Sequence, residues 1–318
     1  MLHTLPAFEF RRRARAAMKP IMPLLLVVAM IAALPSLIGQ TVTLLTGADP
    51  NAMLAEYYTQ ERMTAITSGD AAAVQAASQE IMDGVTAFFQ EKAPFMVITT
   101  LITWLLSPVL TLGFNHTLIK TLRREEVAVT TVLARLPLFF KAIGLNLMIF
   151  LRLLLWMLLG MILSMLGLRL LLWIMPGFGT VVLLEPSIGG LLMLAAMAVM
   201  FVLMIRAMYS YRLATYIMAD VPETGINASI RRSKEVMKGR RMELFGLEFS
   251  FLGWRLLLSM GQSMLLGLFG GVLGMTLGMF ASLFLQTYLS MAETAFYQEY
   301  AVGPIDPVRE DEEAEELL

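Results

Sequence analysis

The chain contains no cysteine, and only two of its residues are histidines. The missing cysteines exclude disulfide bonds, thiolate metal sites and cysteine nucleophiles. Charged residues are also scarce, at 15% of the chain, where about 25% is usual in soluble domains. Hydrophobic residues make up 58% instead, and they are concentrated in long apolar runs. Such runs are typical of membrane spans, so the composition predicts a membrane protein.

Sequence signatures of common catalytic and cofactor sites are missing as well. The chain has no phosphate-binding glycine–lysine loop, no HExxH motif and no nucleophile elbow. The two histidines, His3 and His116, are too few for a histidine-based metal site. We therefore expect a protein that is not an enzyme and that holds neither a cofactor nor a metal.

Five apolar blocks predict the number of membrane spans. A span needs about 20 residues, so the last block, at 244–292, must fold back, and Gly267, Gly270 and Gly271 mark the expected turn. The block at 143–184 is interrupted by charge and proline, and we expect one span followed by a re-entrant or interfacial piece at 168–184. The sequence thus predicts an all-α polytopic membrane bundle with about six spans, at 21–45, 94–116, 143–166, 187–218, 246–266 and 271–291.

Three clusters of basic residues predict the orientation of these spans. Residues 11–19 carry five positive charges, residues 120–141 carry five and residues 231–241 carry six. Because basic loops stay in the cytoplasm, we expect both termini to be cytoplasmic. The first apolar run is too long for the core of a signal peptide, so we interpret it as a retained span.

The segment at 46–92 then faces outward. It carries seven acidic and two basic residues. Asp49 followed by Pro50 predicts a helix start, and a second helix is expected near Asp70. We interpret this segment as an extracytoplasmic helical hairpin, with a small ligand-binding ectodomain as the alternative. We expect one membrane domain, 1–302, and a disordered acidic tail, 303–318, with docking of that tail on the basic loops as its alternative.

Ionisable residues within the spans are the main hint of a binding site. Such residues are costly in a bilayer and usually face a bundle interior, a partner or water. One interpretation is that they extend to the lipid headgroups or pair with each other. The other is that three arginines converge on an anionic ligand, such as a lipid phosphate. The residues of that predicted cluster are Arg152, Arg206, Arg255, Glu248, Glu293, Asn146 and Gln262, with Gln286 expected to line the same interior.

The segment at 223–241 predicts a short amphipathic helix on the cytoplasmic membrane surface. Thr224 is its expected cap and Gly239 its expected stop. Such a helix favours anionic lipid. Nucleic-acid binding is not expected, because spans tether the helix at both ends and no aromatic residues interleave its charges. Its charge comes from Arg231, Arg232, Lys234, Lys238, Arg240 and Arg241.

Three glycines of the last span recur at every fourth position, in the pattern of a glycine zipper. They are Gly270, Gly274 and Gly278. Small residues at this spacing allow close approach of a neighbouring helix. We expect packing within the chain, with homodimerisation as the alternative.

Several motifs between 209 and 300 carry a family resemblance. They are YIMADVP at 216–222, Ser233 followed by MKG at 237–239, LF at 244–245, SFLGW at 250–254 and AFY at 295–297. Gly113 with RRE at 123–125 and IMPG at 174–177 are weaker echoes. Together they resemble the bacterial membrane proteins of domain of unknown function 975. That resemblance implies a bacterial inner-membrane protein, but it brings no activity and no functional residues.

The sequence therefore predicts a non-enzymatic protein of the bacterial cytoplasmic membrane. We expect it to bind lipid or a partner protein, or to act as a scaffold. Its expected partners are anionic membrane lipids, with a protein partner or a second copy of the chain as further candidates. The first alternative is a transporter or channel subunit for an anionic or amphiphilic solute. A membrane-embedded enzyme is the second alternative.

Overall fold

The computed structural model of the protein describes residues 5–174, 186–269 and 271–303. Every regular element in these ranges is a helix, so the all-α prediction is confirmed. The chain forms two compact units, a small unit of residues 30–110 and a large unit of residues 1–29 and 111–318. The predicted limits of a single domain, 1–302, stay a prediction, and residues 304–318 of the expected tail lie outside the described residues.

The α-helices are numbered here in chain order. They are α1 (Ala7–Met18), α2 (Met22–Thr46), α3 (Pro50–Tyr57), α4 (Gln60–Thr67), α5 (Ala71–Leu122), α6 (Phe139–Ile174), α7 (Pro186–Tyr211), α8 (Ala214–Asp220), α9 (Ile226–Val236), α10 (Arg241–Phe249), α11 (Leu252–Phe269) and α12 (Gly271–Tyr297). The 3₁₀ segments Lys19–Ile21 and Val129–Leu138 precede α2 and α6, and a π-helical turn, Gln298–Val302, follows α12.

Four helical stretches in the described part of the chain are long and apolar enough to cross a membrane. They are Ala7–Tyr57, Ala71–Leu122, Val129–Gly167 and Leu194–Asp220. These stretches include the first three predicted spans and most of the fourth. A multi-pass membrane protein is thus supported by four long apolar helices, whereas the count of six spans stays a prediction.

The predicted separate piece at 168–184 is wrong in its first part. Helix α6 continues to Ile174, so residues 168–174 belong to the same helix as the span before them. Arg169 does not interrupt the helix, because arginine has a high helix propensity and apolar residues continue on both sides. Residues 175–185 lie outside the described residues.

The predicted span at 246–266 is not one continuous helix. Helix α10 ends at Phe249 and α11 begins at Leu252. The Ser250 hydroxyl donates to the carbonyl of Leu247 at 2.6 Å, where it satisfies a carbonyl at the end of α10. The intervening turn buries Phe251 completely. Helix α11 ends at Phe269 and α12 begins at Gly271, and the residue between them lies outside the described residues.

The predicted outer hairpin at 46–92 stays a prediction, although helices begin where its start signals placed them. Asp49 caps α3, with its carboxylate accepting from the Asn51 amide at 2.9 Å, and Asp70 caps α5 in the same way at 3.0 Å. However, α5 continues without interruption from the outer segment into the predicted span at 94–116. The two parts form a single long helix, with Pro94 inside it.

The large unit has a densely packed end and two pairs of helices that expose many apolar side chains. We call the region where α1, α8, α9, α10 and the C-terminal ends of α5 and α12 meet the packed end. Its side chains include many that are fully buried, such as Leu118, Ile217 and Phe296. The pairs α6–α7 and α11–α12 extend beyond it, and we call them the apolar arms. Many of their side chains are exposed, including Phe201 at 62% and Met260 at 73%.

A close backbone contact secures the segment before α6 in the packed end. Gly113 of α5 lies against Val132 of the 3₁₀ segment, whose side chain is 1% exposed. A β-carbon at Gly113 would lie 1.8 Å from the Val132 carbonyl oxygen. Only glycine therefore allows this segment to lie directly on α5.

Candidate functional site

A network of two carboxylates around one arginine occupies the centre of the packed end. Glu293 of α12 is 1% exposed. It accepts hydrogen bonds from the Arg212 guanidinium at 2.8 Å and from the Tyr216 hydroxyl at 3.0 Å. Arg212 also pairs with Glu248 at 3.6 Å, and the Tyr209 hydroxyl donates to Glu248 at 2.7 Å. The network thus connects α7, α8, α10 and α12 around the turn at Arg212.

A second network lies beside the first. The Arg123 guanidinium donates two hydrogen bonds to the Asp220 carboxylate, both at 2.8 Å. The Tyr297 hydroxyl donates to the same carboxylate at 2.9 Å, and Arg123 also donates to Gln298 at 3.0 Å. The Tyr216 and Tyr297 rings stack with their centroids 5.9 Å apart, which joins the two networks. Because these buried groups bond to one another, their role is to hold helices together.

The N-terminal helix is fixed to the packed end by aromatic contacts. The Phe10 ring lies 5.4 Å from Phe296 and 6.0 Å from Tyr300. The Tyr300 hydroxyl accepts from the Leu5 amide at 3.1 Å and donates to Glu243 at 2.8 Å. Burial raises the pKa of Tyr300 to about 12, so this hydroxyl keeps its proton for donation. Tyr300 therefore links α1 to the start of α10.

The predicted surface helix is α9, and its apolar face is not free to enter a membrane. Ile230 and Met237 are completely buried in the protein. The hydroxyl of buried Ser233 donates to the Ser210 carbonyl of α7 at 2.9 Å. Packing within the large unit therefore covers these residues, while the position of α9 at the membrane surface stays a prediction.

The ends of α9 differ slightly from their prediction. The cap is Gly225, without a side-chain hydrogen bond, and not Thr224. Gly239 does end the turn after α9, with φ at +84°, a conformation that glycine adopts without strain. Of the predicted basic residues, four are exposed and two are half-buried. The exposed residues are Arg231, Arg232, Lys234 and Lys238, and the half-buried residues are Arg240 and Arg241.

A groove of about 460 Å³ opens between α7 and the segment that leads into α10. Its apolar lining includes Val202, Ile205, Met242 and Phe245. Two arginines, Arg206 and Arg241, also line it. Tyr209 forms part of the same wall, and its hydroxyl is bonded to Glu248 of the first network. We call this the α7–α10 groove.

The two arginines of the α7–α10 groove are available to an anion. Arg206 is exposed, and its guanidinium has no hydrogen bond or ion pair with any described residue. The Nε atom of Arg241 is buried and lacks a hydrogen-bond partner among those residues. A buried donor without a partner is costly. A phosphate between these two side chains would satisfy it, while an acyl chain would cover the apolar lining.

The structure does not bring the three predicted arginines together. Arg152 donates to Asn227 at the start of α9, at 2.9 Å. Arg206 lines the α7–α10 groove, and Arg255 is exposed on α11. No hydrogen bond or ion pair within the described ranges joins any two of them. Their convergence on one ligand stays a prediction, and the described contacts give each a different environment.

The remaining predicted residues are divided between the packed end and the arms. Glu248 and Glu293 lie in the first network, as described. Asn146 is exposed on α6. Gln262 of α11 lies against Gly278 of α12, where a β-carbon would be 2.9 Å from the Gln262 side chain. This contact supports packing within the chain for Gly278. Gly274 is buried, and Gly270 lies outside the described residues.

Arg212 was missed as a site residue, although it organises the first network. Its position at the end of a long apolar block made it look like an ordinary span boundary. The surrounding tyrosines, Tyr209 and Tyr216, were the available signal, because buried tyrosine hydroxyls need polar partners. Their partner, Glu293, is distant in sequence, so only the folded chain reveals the contact.

Comparisons with known proteins identify one family. A family model described as "Protein of unknown function (DUF975)" matches residues 63–301, which is more than half of the chain. The match confirms the resemblance that the motifs between 209 and 300 indicated. No curated protein and no solved structure matches the chain.

Proposed function

The chain belongs to the DUF975 family of proteins of unknown function, and we propose that it binds an anionic lipid in the bacterial cytoplasmic membrane without catalysing a reaction. The observation that carries this proposal is the α7–α10 groove. Two arginines without ion-pair partners among the described residues lie beside an apolar lining in that groove. An anionic lipid combines the phosphate and the hydrocarbon that these two surfaces accept.

The charge distribution supports a cytoplasmic position for this groove. The basic clusters at 11–19, 120–141 and 231–241 all belong to the large unit. In the proposed topology α11 and α12 provide the fifth and sixth spans, and both termini are cytoplasmic. The groove then opens at the leaflet whose anionic lipids attract basic residues.

The groove is also connected to the packed end. Tyr209 forms part of its wall and donates to Glu248, which pairs with Arg212. A lipid in the groove would therefore contact the side chains that hold α7 and α10 together. We propose that lipid binding stabilises this arrangement, which suits a scaffolding role in the membrane.

Photocrosslinking at Met242 tests the proposal. Met242 lines the groove and is 74% exposed, so a benzophenone-bearing residue should be tolerated there. In vesicles that contain phosphatidylglycerol and phosphatidylcholine, we expect preferential capture of phosphatidylglycerol. The variant Arg206→Gln/Arg241→Gln should lower that preference roughly thirtyfold, since each arginine near an anionic surface contributes about 1 kcal/mol.

A matched control removes two charges elsewhere. Arg231 and Lys238 are exposed on α9 and its C-terminal turn, and neither has an ion-pair partner among the described residues. Arg231→Gln/Lys238→Gln should leave the captured lipid unchanged. Equal capture of both lipids by the unmodified groove would refute the proposal. Flux of an anionic solute through the reconstituted protein would favour the transporter alternative instead.

A further inference from the structure

We propose a second anionic-lipid site in the large unit, formed by α1, α11 and α12, in which arginines of α1 bind the phosphate and an apolar groove holds one acyl chain. Within the described ranges, this site shares no lining residue with the α7–α10 groove. It extends the proposed lipid binding but does not depend on the first groove, so each of the two proposals can be refuted independently of the other.

Two adjoining cavities form this site. The apolar one has a volume of about 510 Å³ and is lined by residues that include Met18, Met22, Leu257 and Phe284. The polar one has a volume of about 280 Å³ and is lined by Phe8, Arg11, Arg12, Arg15, Trp254 and Tyr288. The two cavities share Arg15, Trp254 and Tyr288, so they form one continuous groove with a basic mouth. Volumes of several hundred Å³ are usual for ligand sites.

The spacing of residues in α1 explains how one short helix provides all three arginines of the smaller cavity, which is the mouth of the groove. Phe10, Ala14 and Met18 recur at every fourth position and are buried in the packed end. Phe8, Arg11, Arg12 and Arg15 recur at intervals of three and four, which places them on an adjacent face of the helix. Burial of the first face therefore turns the arginine face toward the groove.

Tyr288 fixes this face in position. Its hydroxyl donates to the Arg11 carbonyl at 3.2 Å, and its ring packs edge-on against buried Phe251 at 5.0 Å. Tyr288 thus connects α1 to α12 at the boundary between the polar and apolar cavities. The backbone of α1 at Arg11 cannot move away from α12 without breaking this contact.

The charges at the mouth are complementary to an anion. Arg11 and Arg15 have no side-chain hydrogen bond or ion pair with any described residue. Arg12 pairs with Glu9 at 2.9 Å, and its own side chain is 73% exposed. Arg13, by contrast, pairs with Glu299 at 2.7 Å and is not in the lining of the groove. Among the described residues, no acidic side chain lines either cavity.

The length of the groove fits one lipid leaflet. Arg11 and Met22 are eleven positions apart in the sequence, which corresponds to roughly 16 Å at the helical rise. This is about half of the roughly 30 Å hydrocarbon thickness of a bilayer. Trp254, at 59% exposure, lies where the polar and apolar cavities meet, as an indole does at a membrane interface. The occupant that fits is therefore a single membrane lipid with an anionic headgroup.

Quenching of Trp254 fluorescence tests this proposal in the full-length chain. The chain has four tryptophans, and replacement of Trp104, Trp156 and Trp173 by phenylalanine leaves Trp254 as the only reporter. The protein is reconstituted into vesicles that contain lipids with brominated acyl chains, which quench only on contact. We expect brominated phosphatidylglycerol to quench Trp254 more strongly than brominated phosphatidylcholine at the same mole fraction.

The arginines of the mouth should determine this preference. Arg11→Gln/Arg15→Gln should reduce it roughly thirtyfold, because two cations near the headgroup are lost. Arg11→Lys/Arg15→Lys keeps the charges and should retain most of it, which assigns the preference to positive charge at these positions. Ala281 also lines the apolar cavity, so Ala281→Phe should fill that cavity and reduce quenching by both lipids.

Two controls separate this site from others. Arg206→Gln/Arg241→Gln should leave Trp254 quenching unchanged. The test is therefore valid even if the α7–α10 groove does not bind lipid. Arg231→Gln/Lys238→Gln should also leave it unchanged. Equal effects of that control and of Arg11→Gln/Arg15→Gln would overturn the proposal, because they would indicate general surface charge.

Two other occupants are distinguished in the same assay. Added inorganic phosphate should not displace the brominated lipid, whereas displacement would assign the mouth to a free anion. Deletion of residues 304–318 removes the acidic run and should leave the preference unchanged. A marked rise after this deletion would assign Arg11 and Arg15 to the tail and overturn the proposal.

Discussion

The packed end and the apolar arms of the large unit differ in what stabilises them. In the packed end, side chains such as Leu247 are fully buried, and ion pairs cross between helices that are distant in sequence. In the arms, large side chains such as Leu256 stay exposed, at 57% in that case. A bilayer supplies no hydrophobic driving force between helices, because lipid tails are as apolar as leucine. The comparison teaches that the structural specificity of this unit is concentrated in its packed end.

The largest expected effect comes from the first network. Arg212→Gln leaves buried Glu293 without its cation, which should lower the free energy of unfolding by about 3 kcal/mol. This is the lower end of the range for a broken buried pair, because the Arg212 side chain is 44% exposed. Denaturant titration in mixed micelles measures the loss. The matched change Arg206→Gln on α7 should leave the free energy of unfolding almost unchanged. An equal loss in both variants would show that the buried ion pair of Arg212 contributes no special stability.

Truncation of buried and exposed leucines compares the two regions directly. Leu247→Ala creates a cavity in the packed end and should cost about 3 kcal/mol. Leu256→Ala removes a side chain from an apolar arm and should change stability by less than about 0.5 kcal/mol. Both free energies are measured by the same titration. Similar costs for the two variants would mean that the arms are packed as tightly as the core.

The next largest loss of stability is expected when the close backbone contact at Gly113 is disturbed. Gly113→Ala places a methyl group against the Val132 carbonyl, so the 3₁₀ segment must move away from α5. We expect a loss of about 2 kcal/mol, which is typical of overpacking. Gly253→Ala is the control, because no atom lies within 4 Å of a β-carbon at that position. Hydrogen exchange in residues 129–138 should increase only in the first variant, and unchanged exchange there would contradict the predicted displacement.

The smallest expected loss of stability comes from the contacts that hold α1 on the packed end. Tyr300→Phe removes the hydroxyl that bonds Leu5 and Glu243, and we expect a loss of about 1 kcal/mol. Tyr58→Phe serves as its control, because the Tyr58 hydroxyl has no hydrogen bond to any described residue. Proteolysis near the N-terminus should accelerate only after Tyr300→Phe. An unchanged cleavage rate would show that the aromatic contacts of Phe10 are sufficient to hold α1.

Local sequence signals predicted many helix boundaries well. Asp49 and Asp70 cap helices as expected, and Gly239 adopts the left-handed conformation that its position requires. These features depend on residues a few positions apart, so the sequence contains all the information they need. The break after α10 was missed, because it depends on the burial of Phe251 against the ring of Tyr288, far along the chain.

The candidate sites were less predictable than the fold. Arginines within apolar blocks singled out Arg206, which lines a groove, but they did not indicate Arg212 or the basic cavity lined by Arg11 and Arg15. Those residues looked like boundary and topology charges. Their roles depend on which neighbours remain without a partner, and that is decided only when distant helices pack.

The sequence by itself determined that this is an all-helical chain with long apolar stretches, and it determined the family. Hydropathy and local capping are properties of contiguous residues, so they can be recognised before folding. Only the tertiary structure decided that α9 packs its apolar face on the protein, that Glu293 shares Arg212 with Glu248, and that two grooves bring arginines beside apolar walls. These outcomes depend on contacts between helices far apart in the chain, which no local pattern encodes.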